Sequence, residues 1–142
     1  MKNQWLAILF ALISCTATAS DTAKTFDYYI LVLSWSPDFC ATNPKATKDP
    51  QCSVGSKYGF VLHGLWPQYE TGYPQSCSTV QLSDTAKTQC DIFPSPKLCE
   101  HEWTKHGTCS GLDSTGYLSL SGKLKKSVVI PEAYHMPEQT FR

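Results

Sequence analysis

The strongest hydrophobic pattern in the chain is a near-continuous run, Tyr28 to Trp35 (YYILVLSW). It predicts a strand buried on both faces. A second run, Gly59 to His63 (GFVLH), predicts another buried strand, ending at Gly64. Between them, Ser36 to Gln51 carries Pro37, Pro44 and Pro50 among polar residues and reads as loop. Pro67 to Asp91 is polar and turn-rich. Ser95-Pro96 is a helix-start signal, a cap residue followed by proline at the first helical position. Lys97 to His106 is the helix it predicts, closed by Gly107. Tyr117, Leu120 and Leu124 share helical spacing in a further helix up to Lys126, weakened by Gly122. Ile130 to Arg142 holds two prolines and no clear element.

The first residues follow a different pattern. Met1 and Lys2 supply a weakly positive start, and Trp5 to Ile13 is uncharged, mostly apolar and too short to span a bilayer. Ala17-Thr18-Ala19 has the small-x-small form of a cleavage site, so residues 1–19 read as a signal peptide and 20–142 as one domain. Leu12-Ile13-Ser14-Cys15 also resembles a bacterial lipoprotein box, in which Cys15 would carry lipid. No longer apolar stretch follows that would support a membrane anchor.

Under both processing schemes the folded part keeps Cys40, Cys52, Cys77, Cys90, Cys99 and Cys109. An even cysteine number in an exported chain implies three disulfides, with 15 possible connectivities. Zinc fits poorly, since no C-x-x-C pair occurs. The 142 residues allow one domain, and 42% hydrophobic with 17% charged residues is a globular composition. Twelve Lys+Arg against twelve Asp+Glu excludes a polybasic coat or an acidic tail. That balance still permits an enzyme acting on nucleic acid through a few local cations.

Three of the four histidines lie in two short segments, FVLHGLWPQ (60–68) and CEHEWTKHGTC (99–109). The first puts His63 at a strand end, where a rigid scaffold can present it. In the second, a helix places His101, Lys105, Glu102 and His106 within an arc of about 140°. A zinc-protease site needs histidines four apart in H-E-x-x-H, whereas His101 and His106 are five apart and Lys105 would repel a cation. A solvated helix face is the bland alternative. An acid–base site is the third: two imidazoles can accept and donate protons near neutral or mildly acid pH, and a lysine can balance charge on a phosphorane oxygen. That set suits attack by an RNA 2′-hydroxyl on its own phosphodiester.

FVLHGLWPQ and EHEWTKHGTC resemble the two active-site segments of the ribonuclease T2 family, the secreted acid ribonucleases, and come in that family's order. YYILVLSWSPDFC (28–40) is similar to its first strand and following cysteine. The resemblance implies an α+β fold, an antiparallel β-sheet with packed helices stapled by disulfides. It implies His106 as general base, His63 as general acid, His101 holding the phosphate, and Lys105 and Glu102 stabilising the pentacoordinate transition state. Trp66 matches a position that stacks on a base, with a core aromatic under the turn as the plainer reading. His135 lies outside both segments and reads as surface. The resemblance also implies disulfides Cys77–Cys109 and Cys40–Cys52, which leaves Cys90 with Cys99.

The implied protein is an exported endoribonuclease, secreted or periplasmic and monomeric. Its substrate would be RNA, and it would use no metal or other cofactor. Family members continue for many tens of residues past the second segment, whereas this chain stops 33 residues after Cys109. A fold lacking the family's C-terminal part is therefore expected, and a two-stranded sheet is marginal alone. Three disulfides, each contributing roughly 2–4 kcal/mol, would compensate. A catalytically silent, disulfide-stapled binding protein is the competing function. Retention of all of His63, His101, Glu102, Lys105 and His106 favours the enzyme.

Overall fold

The computed structural model describes residues 26–135. The expected signal peptide, the lipoprotein box and the last seven residues of the tail lie outside the described residues. Strand β1 (Tyr28–Trp35) pairs antiparallel with β2 (Phe60–Gln68). Tyr28 faces Gln68 and the register runs to Val32 opposite Gly64, then resumes with Leu33 opposite Leu62. His63 is left over, so β2 carries a bulge there. The second strand was expected to end at Gly64; it continues to Gln68. The bulge absorbs the extra residue and lets pairing resume, and Pro67 is tolerated because β2 is an edge strand. β1 also departs from expectation. None of its residues is fully buried, and Tyr28 and Ile30 are exposed.

The segment read as loop after β1 begins with helix α1 (Ser36–Thr42). Pro37 lies in its first turn, where the fixed φ of proline favours helix and its missing N–H costs nothing. Two 3₁₀ turns follow, at Pro44–Lys48 and Pro50–Cys52. The buried Ser36 hydroxyl donates to Gln51 Oε1 at 2.8 Å and closes the excursion. The polar, turn-rich stretch Pro67 to Asp91 also holds a short helix, α2 (Asp84–Lys87), capped by Ser83.

Helix α3 (Pro96–Lys105) starts where Ser95-Pro96 predicted, with the Ser95 hydroxyl accepting the Leu98 N–H. Gly107 was expected to close the helix, and it follows the C-cap residue His106, where it opens a 3₁₀ turn without positive φ. Its missing side chain answers packing: a Cβ there would lie 2.9 Å from Tyr117 Cδ1 and collide with Trp103. Helix α4 (Ser114–Ser127) is capped by Asp113 and runs unbroken through Gly122. A 3₁₀ turn at Glu132–Tyr134 ends the described chain, with the Tyr134 ring against Trp35 and Phe60 at 5.5 and 5.7 Å.

The core forms where α3 and α4 meet the sheet. Leu62, Leu65, Cys99, Trp103, Tyr117 and Leu118 are buried together. Each fully buried leucine contributes about 1.5–3 kcal/mol. The two large polar-tipped residues are satisfied: Tyr117 O–H donates to the Leu65 carbonyl at 3.0 Å, and Trp103 N–H to the Val80 carbonyl at 2.7 Å. Disulfides join Cys40–Cys52 and Cys77–Cys109, the pairs the resemblance implied, and Cys90–Cys99, the two cysteines it left over. The last two clamp both ends of α3. This α+β unit has a two-stranded antiparallel sheet, covered by helices and covalently stapled.

Candidate active site

Helix periodicity divides α3 into two working faces. Cys99 and Trp103, four apart, turn into the core. Glu102 and His106, also four apart, turn toward β2. Glu102 is 1% exposed and His106 only 3%, whereas His101 is exposed and Lys105 half-buried. The four residues predicted on one arc thus differ sharply in solvation.

β2 meets this face with His63 and Trp66. The bulge displaces His63 from the regular alternation of the strand, and its side chain remains 39% exposed. Its Nε2 lies 3.5 Å from Glu102 Oε1. Trp66 N–H donates to the other carboxyl oxygen, Oε2, at 2.7 Å. The indole also stacks on the His106 ring, centroids 4.9 Å apart and planes at 22°. The His63 ring meets Trp66 edge-on at 5.6 Å. Both imidazoles therefore contact one indole, and Trp66 is part of the cluster rather than a core residue under a turn.

Sequence reasoning missed three contributors. Gly64 leaves the space in which Trp66 reaches Glu102: a Cβ there would lie 2.8 Å from Glu102 Cδ and strike both bonded atoms. Glycine between the histidine and the tryptophan was a visible signal, but one that reads equally as a turn. Tyr73 brings its ring to 6.2 Å from His106, and no local pattern marked it. Tyr117 packs beneath, its hydroxyl pKa raised first by burial and then by the Glu102 charge. His135, read as surface, is exposed.

Burial sets the proton affinities. It pushes the Glu102 carboxyl up to about 7, against the opposing pull of the Trp66 hydrogen bond and the Lys105 charge. It pushes His106 down to about 4, reinforced by Lys105, His101 and His63. His63 is lowered for the same reasons, burial first and then His101 and Lys105. Burial thus works against the charged forms of both partners in the Glu102–His63 contact. The buried Nδ1 of His106 has no hydrogen-bond partner among the described residues. No cluster of three His, Cys, Asp or Glu suited to a metal ion occurs among those residues. Nor is any helix there long and apolar enough to cross a membrane.

A cluster with one low-affinity imidazole, one more solvated imidazole, a neutral carboxyl and a lysine can take and give protons in mild acid. The pattern of the Ribonuclease T2 family matches residues 26–135. A ribonuclease of Aeromonas hydrophila is 46% identical over 114 residues, covering 80% of this chain and 51% of that protein. Ribonuclease 1 of Arabidopsis thaliana is 30% identical over 139 residues, covering 85% and 59%. The crystal structure of RNase NT in complex with 5′-AMP superposes with a TM-score of 0.56 at 29% identity, covering 71% of this chain and 56% of that one. The chain spans about half the length of the relatives it matches. With both histidine-bearing segments folded against one another inside the matched region, the chain belongs to the ribonuclease T2 family.

Proposed function

We propose that the chain is an exported endoribonuclease that cleaves single-stranded RNA by transphosphorylation. The observation that carries this reading is the unequal solvation of two imidazoles in contact with one indole. His106, buried and held at about 4, is neutral in mild acid and takes the 2′-hydroxyl proton. The 2′-oxygen attacks phosphorus. His63, the more exposed imidazole, delivers a proton to the departing 5′-oxygen. Glu102, protonated below about 7, donates a hydrogen bond to a phosphoryl oxygen without repelling it. The Lys105 ammonium balances the charge of the pentacoordinate state, and His101 at the exposed rim holds the phosphate. The product is a 2′,3′-cyclic phosphate. Water then opens it to a 3′-phosphate with the two histidine roles exchanged.

The ring face of Trp66 not stacked on His106 is offered to a base, a contact tolerant of base identity. The named ribonucleases and the nucleotide-bound relative support RNA as substrate. Three disulfides in a small domain support an oxidising, exported setting. The two imidazoles supply both proton transfers, so no metal is assigned a step.

The test uses the purified chain on RNA and on DNA of the same sequence, with product ends read by phosphorus NMR and mass spectrometry. RNA should yield 2′,3′-cyclic phosphate ends with excess chelator present, DNA should stay intact, and the rate should peak in mild acid. Loss of activity on chelation, restored by magnesium or zinc, overturns the mechanism. Folded protein without cleavage transfers the reading to the silent binding protein.

A further inference from the structure

Two groups on α3 are tied to β2 by a single side chain, and that tie defines a second task for it. We propose that Trp66 is a positioning residue, holding the Glu102 carboxyl and the His106 ring in fixed relation to each other. The proposal rests on the ribonuclease reading only for its kinetic arm.

The indole N–H is spent on Glu102 Oε2 and one ring face is spent on His106, so both are committed before any substrate arrives. Glu102 is buried, and the second oxygen looks toward His63. Each carboxyl oxygen therefore has its own β2 residue. Without the indole donor, the longer 3.5 Å approach to His63 is the contact left to set which way the buried carboxyl turns. Without the ring, solvent gains access to the His106 imidazole. Gly64 supports the same conclusion, since the clearance it leaves is the space occupied by this bond. The surroundings are defined on every side. Glu102 faces His63 from β2, Lys105 from its own helix and Tyr117 from α4. His106 faces Lys105 and His101 from α3, His63 from β2 and Tyr73 from the following loop.

Trp66→Phe separates the two ties, keeping the stack and deleting the donor. Trp66→Leu deletes both. Carbon and proton NMR titrations of the ligand-free protein read Glu102 and His106 directly. In Trp66→Phe, Glu102 should titrate above its parent value of about 7, because the lost bond was one that lowered it, while His106 stays near about 4. In Trp66→Leu, His106 should rise toward the ordinary imidazole value. Kinetically, Trp66→Phe should lower kcat by up to about 10²-fold, the scale of a misplaced catalytic group, with KM changed by less than about threefold. If neither titration moves and only KM rises, Trp66 is a base platform alone and the proposal fails. If the titrations move as stated but the parent cleaves no RNA, the positioning role stands and the ribonuclease reading fails. Should Trp66→Leu not fold, the Glu102 titration in Trp66→Phe decides.

Discussion

Gly64→Ala is the sharpest perturbation of the site, because its sign depends on packing. At a position without positive φ, replacing glycine by alanine ordinarily stabilises by about 0.4–1 kcal/mol through the unfolded chain. Here the added methyl would sit 2.8 Å from Glu102 Cδ and strike Glu102 Oε2 and Trp66 Nε1. Glu102 is held by a core helix and Trp66 by a paired strand, so neither can yield without breaking the 2.7 Å bond between them. Overpacking costs about 1–3 kcal/mol, and a buried acceptor left without its donor about 1–3 kcal/mol. After the entropic gain is subtracted, the net loss is about 1–5.5 kcal/mol, a large share of a typical domain stability of about 5–15 kcal/mol. Urea unfolding followed by tryptophan fluorescence measures it, as a shifted midpoint at unchanged slope. In a Glu102→Ala background the main obstacle is gone, so the same substitution should cost at least about 1 kcal/mol less. A Gly64→Ala protein within about 0.5 kcal/mol of the parent would refute the account, as would an equal loss in both backgrounds.

The remaining predictions concern protons, staples and catalysis. Between its ordinary value of 4.5 and about 7, Glu102 keeps in the fold a proton that the unfolded chain has released, so stability falls as pH rises. Between about 4 and its ordinary 6.5, His106 does the opposite, and His63 adds in the same direction. The two effects offset each other in the parent. Glu102→Gln removes the first, so its stability should climb by up to about 1.4 kcal/mol per pH unit between pH ~4 and ~6.5; a flat profile would contradict the burial of His106. The disulfides close loops of 32, 12 and 9 residues. Alanine at both Cys77 and Cys109 should therefore cost roughly 3.7 kcal/mol in denaturant midpoints, against roughly 2.6–2.8 kcal/mol for each other pair; the reverse order would show that strain rather than chain entropy dominates. His63→Ala or His106→Ala should each slow RNA cleavage by roughly 10²–10⁴-fold, and the double variant by much less than the product. His135→Ala should leave the rate unchanged, and equal damage there would discredit the assignment of the α3 face.

Local physics left a clear trace in the chain. Ser95-Pro96 marked the start of α3, and 3.6-residue periodicity put His101, Glu102, Lys105 and His106 on one side of it. Both signals operate within one or two turns, so neighbouring residues suffice to encode them. The hydrophobic runs located both strands, but not the end of β2, because a bulge is a property of two paired strands. Proline and polar content masked α1, whose first turn uses Pro37 rather than being broken by it. Lysine and two imidazoles on a helix say nothing about which imidazole is dry. That was decided by Trp66, 36 residues before Glu102, and by a core that draws in Cys99 and Trp103 on the adjoining stripe of the helix. Proton affinity follows desolvation, and desolvation is set by whatever the fold stacks on a side chain. The residue types of the candidate site could therefore be read from sequence, while their division into a buried imidazole, a more solvated imidazole and a carboxyl of raised proton affinity required β2 to close against α3.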